Sequence, residues 1–281
     1  MLGPLLAAVL LVRSPELRFG QVELPTGVRI HYAEQGDSTG PAVILLHGYS
    51  DSWYSFSRVL PLLPERYRVF ALDQRGHGES GAPAEGYAPR DLAADVVSFM
   101  AAKGIDRATI VGHSVGSLVA QQVAAAAPHR VSGLVLIGSG TTLRKMEGLS
   151  DLQAAVAGFT DLAPLDFIRD FQLSTIHLPV PDAFLGRVIA ESRRLSAATW
   201  KALLDGFVAA DPVEALRNTR TPTLLLWGEL DAVFARAERN ALAQLLGTAQ
   251  RIDYAETGHA PHWERPGEVA RDLVSWLDRG R

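Results

Sequence analysis

The chain has 281 residues, with 27 Lys and Arg against 31 Asp and Glu for a net charge of −4, 47% hydrophobic residues and no cysteine. Zero cysteine excludes a disulfide scaffold, a thiolate zinc site, an iron–sulfur cluster and a cysteine nucleophile. The mildly acidic balance, without a Lys/Arg block, argues against a nucleic-acid surface, and a chain of this length buries about three quarters of its unfolded surface without a structural metal.

Residues 1–12 form an apolar run broken by Pro4. It has the length of a signal-peptide core but no charged segment before it and no clear small-residue cleavage site after it, and it is too short to span a bilayer. An N-terminal extension over 1–19 is expected, in a cytoplasmic rather than secreted protein. No other run approaches ~18 apolar residues, so an integral membrane protein is not expected.

Short β-branched or apolar runs at 21–24, 28–33, 42–46, 68–72, 109–111, 134–137, 223–227 and 251–254 read as strands. The central ones lack apolar/polar alternation, as strands do when helices cover both faces of a parallel sheet. The pair around Pro25-Thr26-Gly27 is close enough for a hairpin, which makes the first edge antiparallel. Helical spacing of apolar residues marks 91–102, 115–127, 235–246 and 266–277. Strand then helix, repeated, implies an α/β fold with a mostly parallel, doubly wound sheet. Past residue 140 the strand-like runs stop, and helix formers with Phe159, Phe167, Phe171, Phe184, Trp200 and Phe207 take over. This reads as a helical insertion over 141–214 in a core of 20–140 and 215–281, with a ligand cleft beneath it.

Gly112-His113-Ser114-Val115-Gly116 stands between a strand-like run and a helix-like one, the context in which G-x-S-x-G raises a serine hydroxyl above a sheet edge. Ser114 is the candidate nucleophile. A serine needs a base to take its proton as it attacks. Of eight histidines, His259 follows the last strand and so reaches the same sheet edge as Ser114; His262, at the start of the final helix, is the competitor, and His113 reads as structural. The carboxylate that orients the base is sought in Trp227-Gly228-Glu229-Leu230-Asp231: Asp231, further out on the loop, is preferred to Glu229. The chain order Ser114, Asp231, His259 is that of hydrolases with a nucleophile elbow. Backbone N–H groups of Val115, after the nucleophile, and Tyr49, in His47-Gly48-Tyr49-Ser50 after the third strand, are the candidate oxyanion donors.

Together these residues resemble the α/β-hydrolase fold family. The likeness covers nearly the whole chain from about Val22 and includes Asp73-Gln74-Arg75-Gly76-His77-Gly78-Glu79-Ser80, which resembles the family's D-x-R-G-x-G-x-S turn and is read as structural, and Gly258-His259 followed by Glu264-Arg265-Pro266. It implies that the insertion is a cap over the active site. One departure is that relatives often carry a proline a few residues after the acid, where this chain has Ala232-Val233-Phe234. Within the family, haloalkane dehalogenases and epoxide hydrolases place an aspartate where this chain has Ser114. A serine there implies acyl transfer: hydrolysis of a small, mostly apolar carboxylic ester or lactone through an acyl-enzyme, with no metal and no organic cofactor. The same triad runs carbon–carbon bond hydrolases and perhydrolases, and a receptor-like binding protein with slow turnover is an alternative of another class. The expected partner is a small-molecule ester; a homo-oligomer is left open.

Overall fold

The computed structural model describes residues 16–210, 213–217 and 219–280. The apolar run at 1–12, and with it the expected extension as far as residue 15, lies outside the described residues.

Eight strands make one sheet: β1 (Arg18–Glu23), β2 (Arg29–Gln35), β3 (Ala42–Leu46), β4 (Arg68–Leu72), β5 (Ala108–His113), β6 (Val131–Ile137), β7 (Thr223–Gly228) and β8 (Gln250–Tyr254), in the order β1-β2-β4-β3-β5-β6-β7-β8. β1 and β2 form the antiparallel hairpin, closed by Gly27 at a left-handed φ of 79°, and β2 runs antiparallel to β4. All remaining neighbours are parallel. The helices, in chain order, are α1 (Pro89–Ala102), α2 (Val115–Ala126), α3 (Leu149–Ala157), α4 (Leu165–Ser174), α5 (Asp182–Ser192), α6 (Ala197–Ala209), α7 (Val213–Arg217), α8 (Arg236–Leu246), α9 (Pro261–Glu264) and α10 (Pro266–Arg279).

Alternate residues of the central strands enter two separate cores. Ile44, Leu46, Phe70 and Ile110 pack with Phe99 of α1, Leu118 of α2 and Leu242 of α8. Val43, Leu45, Val69 and Val111 pack with Val269, Leu273 and Trp276 of α10. Both faces of the strands are therefore dry, which is why their sequences carry no polar alternation.

Ladder pairing lengthens the strands beyond their β-branched runs. β5 takes in Gly112 and His113 because they pair with Leu136 and Ile137 of β6, and tertiary pairing outweighs glycine's poor strand propensity. α1 starts at Pro89, two residues ahead of its apolar pattern: proline suits a first helical position, and the Asp91 carboxylate accepts the Ala88 N–H at 3.0 Å. α3 to α7 fill the chain between β6 and β7, so the non-strand stretch is a helical insertion. No helix among the described residues is long and apolar enough to cross a membrane.

Candidate active site

Three loops at the carboxyl ends of strands converge on one cavity, and each contains a non-glycine residue in the left-handed region. Ser50 (φ 62°) follows β3, Ser114 (φ 52°) follows β5 and Glu256 (φ 50°) follows β8; among the described residues no other non-glycine has positive φ. Such a conformation costs roughly 1–3 kcal/mol per residue and persists only where its surroundings over-determine it.

At Ser114 the surroundings do so. Its N–H donates to the Ile137 carbonyl at 3.0 Å and its carbonyl accepts the Ser117 N–H at 2.9 Å. A Cβ on Gly112 would come within 2.2 Å of the Gly116 carbonyl oxygen, and one on Gly116 within 2.3 Å of the His47 carbonyl oxygen. The strand must pass this closely under the helix for the serine to stand at the turn, and only glycine leaves the space. Val115 is the first residue of α2, so its N–H lies outside the intrahelical ladder at the positive end of the helix.

His259 is buried, 2% exposed. Its Nδ1 lies 3.0 Å from Asp231 Oδ2, and its Nε2 has no hydrogen-bond partner. The backbone of this residue is held on two sides: its N–H donates to the Thr175 carbonyl at 2.8 Å, and its carbonyl accepts from His113 Nε2 at 3.2 Å. The Glu264 carboxylate fixes the rest of the loop, accepting the N–H groups of Gly258 at 2.9 Å, His177 at 2.9 Å and Leu178 at 2.7 Å. It thereby ties the β8 loop to the segment after α4.

Asp231 Oδ1 accepts the N–H of Val233 at 2.8 Å and of Phe234 at 3.1 Å. Burial pushes its pKa up, but the neighbouring His259 and these hydrogen bonds outweigh burial and leave it below the usual carboxylate value. The two donated N–H groups also account for the missing proline, which would remove one of them if placed at 233 or 234. Glu229 is exposed; the structure pairs His259 with Asp231 instead. His262 makes its hydrogen bond away from the serine, Nε2 lying 3.1 Å from Ser55 Oγ.

The cavity measures about 600 Å³. Ser114, His259, Tyr49 and Val115 line it, and apolar side chains of the insertion, among them Met146, Leu152, Phe167, Phe171 and Leu204, form much of the wall. Phe159, Trp200 and Phe207 are core instead, so the insertion's aromatics divide between packing and lining. Exposed carboxylates of Glu147, Asp151 and Asp170 stand at the edge, and among the described residues the lining holds no Lys or Arg. The Asp73 to Ser80 turn does not line the cavity. Its Asp73 carboxylate accepts from His31 Nδ1 at 2.8 Å, Trp53 N at 2.7 Å and Glu79 N at 3.0 Å, a scaffolding role.

Several site residues carry no sequence signal. Asp51 is 3% exposed and lines the cavity; burial raises its carboxyl to about 7 against the hydrogen bonds and neighbouring His259 that lower it. Gln172 and Thr175, on and after α4, belong to no motif.

The buried histidines give the fold a pH signature. Burial, foremost, lowers His47 to about 4, His77 and His262 to about 3, and His113 well below the ordinary value of 6.5. Below pH 6.5 the unfolded chain binds protons that the folded imidazoles refuse, so stability falls as pH drops from there toward about 3. Asp51 acts in the opposite sense, its raised pKa favouring the fold as pH falls through about 7, but it is one group against four. Thermal melts at pH 7, 6 and 5 are expected to show a Tm that falls at each step; a Tm that is flat or rising would contradict the burial of these rings.

The sequence comparisons agree with this architecture. A family model for the alpha/beta hydrolase fold matches residues 41–179. Epoxide hydrolase 4 of Mus musculus is 30% identical over 233 residues, 74% of this chain and 64% of that protein, so the chain spans just under two thirds of this relative's length. A putative aryl esterase from Burkholderia cenocepacia superposes with a TM-score of 0.80 at 27% identity, covering 94% of this chain and 99% of that one. An esterase from Rhodococcus sp. ECU1013 superposes at 0.81 and 28% identity, covering 94% and 98%. With this sheet order, the insertion after the sixth strand and these relatives, the chain has the α/β-hydrolase fold.

Proposed function

We propose that the protein hydrolyses small, mostly apolar carboxylic esters or lactones through an acyl-enzyme, with Ser114 as nucleophile, His259 as general base and acid, Asp231 as its orienting carboxylate, and the N–H groups of Tyr49 and Val115 as the oxyanion hole. The observation that carries this reading is the division of labour on one imidazole. Nδ1 of His259 is engaged by Asp231 while Nε2 is buried without a partner in the cavity that Ser114 lines. Ring nitrogens of His77, His113 and His262 are also buried without a partner, but among these only His259 carries a carboxylate on its other nitrogen; a proton acceptor awaiting the Ser114 hydroxyl accounts for that combination, since such catalytic bonds often tighten only in the complex.

In the reaction Ser114 Oγ adds to the ester carbonyl as its proton passes to His259 Nε2. Asp231 holds the proton on Nδ1 and stabilises the imidazolium. The oxyanion meets the two N–H groups, each worth roughly 2.7–4 kcal/mol of barrier when preorganised. His259 then protonates the departing alkoxide. In the second half a water gives its proton to Nε2 and its oxygen to the acyl carbon, and Ser114 recovers its proton as the acid leaves.

The relatives include both epoxide hydrolases and esterases. Epoxide opening in this family proceeds through a carboxylate nucleophile, and this chain has a serine at that position, which favours acyl transfer. The apolar wall, the carboxylates at the edge and the lack of a lining Lys or Arg favour an uncharged acyl group over an anionic one.

The test is covalent. With p-nitrophenyl acetate a burst of p-nitrophenol close to one equivalent is expected, and a fluorophosphonate should add one mass increment, located by peptide mapping at Ser114. Labelling at another residue, or ester turnover with Ser114 unlabelled, would overturn the assignment.

A further inference from the structure

The loop that carries the Tyr49 N–H is a tight turn, Asp51 N–H donating to the Gly48 carbonyl at 3.3 Å, with Ser50 in the left-handed region. Its base is secured from the core: His47 Nδ1 donates to the Gly48 carbonyl at 2.8 Å, and His47 Nε2 accepts the Gln74 N–H at 3.1 Å. Its tip is secured from the helical insertion. The Gln172 side-chain amide, on α4, reaches three acceptors at once: Ser192 Oγ on α5 at 2.9 Å, Asp51 Oδ1 at 3.2 Å and Ser50 Oγ at 3.3 Å. Ser192 Oγ in turn donates to the Val188 carbonyl at 3.0 Å, so its lone pairs face the amide. Gln172 is 1% exposed, Ser50 and Ser192 are fully buried. Tyr49 adds a parallel tie, its hydroxyl donating to the Trp200 carbonyl on α6 at 2.6 Å and its ring standing 4.8 Å from that of Trp200.

A glutamine amide has two hydrogens to give. Two of its three acceptors belong to the strained turn, and the third ties it to a neighbouring helix of the insertion. That arrangement binds the turn to the insertion. Resting on the acyl-transfer reading, we infer that Gln172 is a positioning residue: its amide clamps Ser50 and Asp51 so that the Tyr49 N–H is held where the oxyanion forms, which makes the helical insertion a structural part of the oxyanion hole as well as its cover.

A donor whose only task is to hold another donor in place affects the transition state and leaves ground-state binding alone. Gln172→Met keeps the length and packing of the side chain and removes both amide hydrogens. On p-nitrophenyl acetate it is expected to lower kcat roughly 10- to 100-fold with KM within about twofold of wild type, less than the roughly 10²- to 10³-fold lost when an oxyanion donor is removed outright. A trifluoromethyl ketone, whose serine adduct carries an oxyanion, is expected to lose affinity by the same factor as kcat/KM, while the corresponding secondary alcohol, which has no carbonyl and cannot form the adduct, keeps its affinity. Ser50→Gly relieves the backbone strain while removing one of the clamped oxygens; it is expected to show the same split at an unchanged or higher Tm, and it carries the test if the Gln172 variant folds poorly. Unchanged ketone affinity in both variants, or equal weakening of ketone and alcohol, would overturn the clamp. Hydrolysis persisting in Ser114→Ala would overturn the acyl-transfer reading instead, so the two failures are distinct.

Discussion

Ser114→Ala is expected to lower kcat on p-nitrophenyl acetate by roughly 10⁶, to the residual rate that an oxyanion hole and binding give without a nucleophile. The size follows from the site acting as a unit: once the hydroxyl is gone, His259 has no proton to accept and Asp231 no imidazolium to stabilise. The same change should leave the fold intact. Ser114 has φ 52°, a strain that alanine inherits, and no hydrogen bond of its hydroxyl is lost from the fold's scaffold, which rests on its N–H to the Ile137 carbonyl and its carbonyl to Ser117. Steady-state kinetics together with a thermal melt check both halves. Substantial hydrolysis in a well-folded variant would remove the proposed mechanism, and a large loss of Tm would make the activity loss uninformative until repeated with Ser114→Gly.

What the sequence shows and what it hides divide along the range of the contacts. Ser114 is legible because everything that positions it is local: a strand running through a five-residue motif straight into a helix, with two glycines where a Cβ would strike backbone within 2.3 Å. His259 and Asp231 are legible at one remove, since each follows a strand of a parallel sheet and parallel strands put their carboxyl ends on one edge. The choice of Asp231 over Glu229 depends on an Asx-type turn that points one carboxylate inward, its Oδ1 taking the Val233 and Phe234 N–H groups. The departure from the proline pattern conceals that turn. Gln172 was not legible at all. It meets Ser50 and Asp51 across more than 120 residues of chain, and that meeting is set by how α4 packs over the sheet. Glu264 lay in view within Glu264-Arg265-Pro266, yet nothing in its spacing tells that it accepts N–H groups from both the His259 loop and the segment after α4. The strand ends fail for a related reason: pairing with a neighbour, not side-chain propensity, decides where a ladder stops.

The second large effect separates the two histidines of the last loop. His259→Ala is expected to abolish acylation, with kcat falling by roughly 10⁶ as for the nucleophile, because among the described residues no other imidazole lining the cavity has one nitrogen hydrogen-bonded to a carboxylate and the other without a partner. His262→Ala is expected to keep much of the wild-type kcat while lowering Tm. His262 is fully buried, its ring lies 4.3 Å from His113 and 5.0 Å from Phe56, and burial holds it neutral, its pKa lowered to about 3; removing it opens a cavity, at a cost typically of about 2–5 kcal/mol for large-to-small core changes, without touching the proton path. Asp231→Asn stands between these outcomes. The amide preserves the shape but favours the wrong tautomer of His259, an exchange that lowers kcat about 10⁴-fold in a serine hydrolase triad, and it leaves KM near wild type because the cavity wall is unchanged. Burst kinetics on the three variants give the answer directly: no burst for His259→Ala, a slow one for Asp231→Asn, and a normal one for His262→Ala. A burst retained in His259→Ala and lost in His262→Ala would exchange their roles and move the general base from the end of β8 to the start of α9.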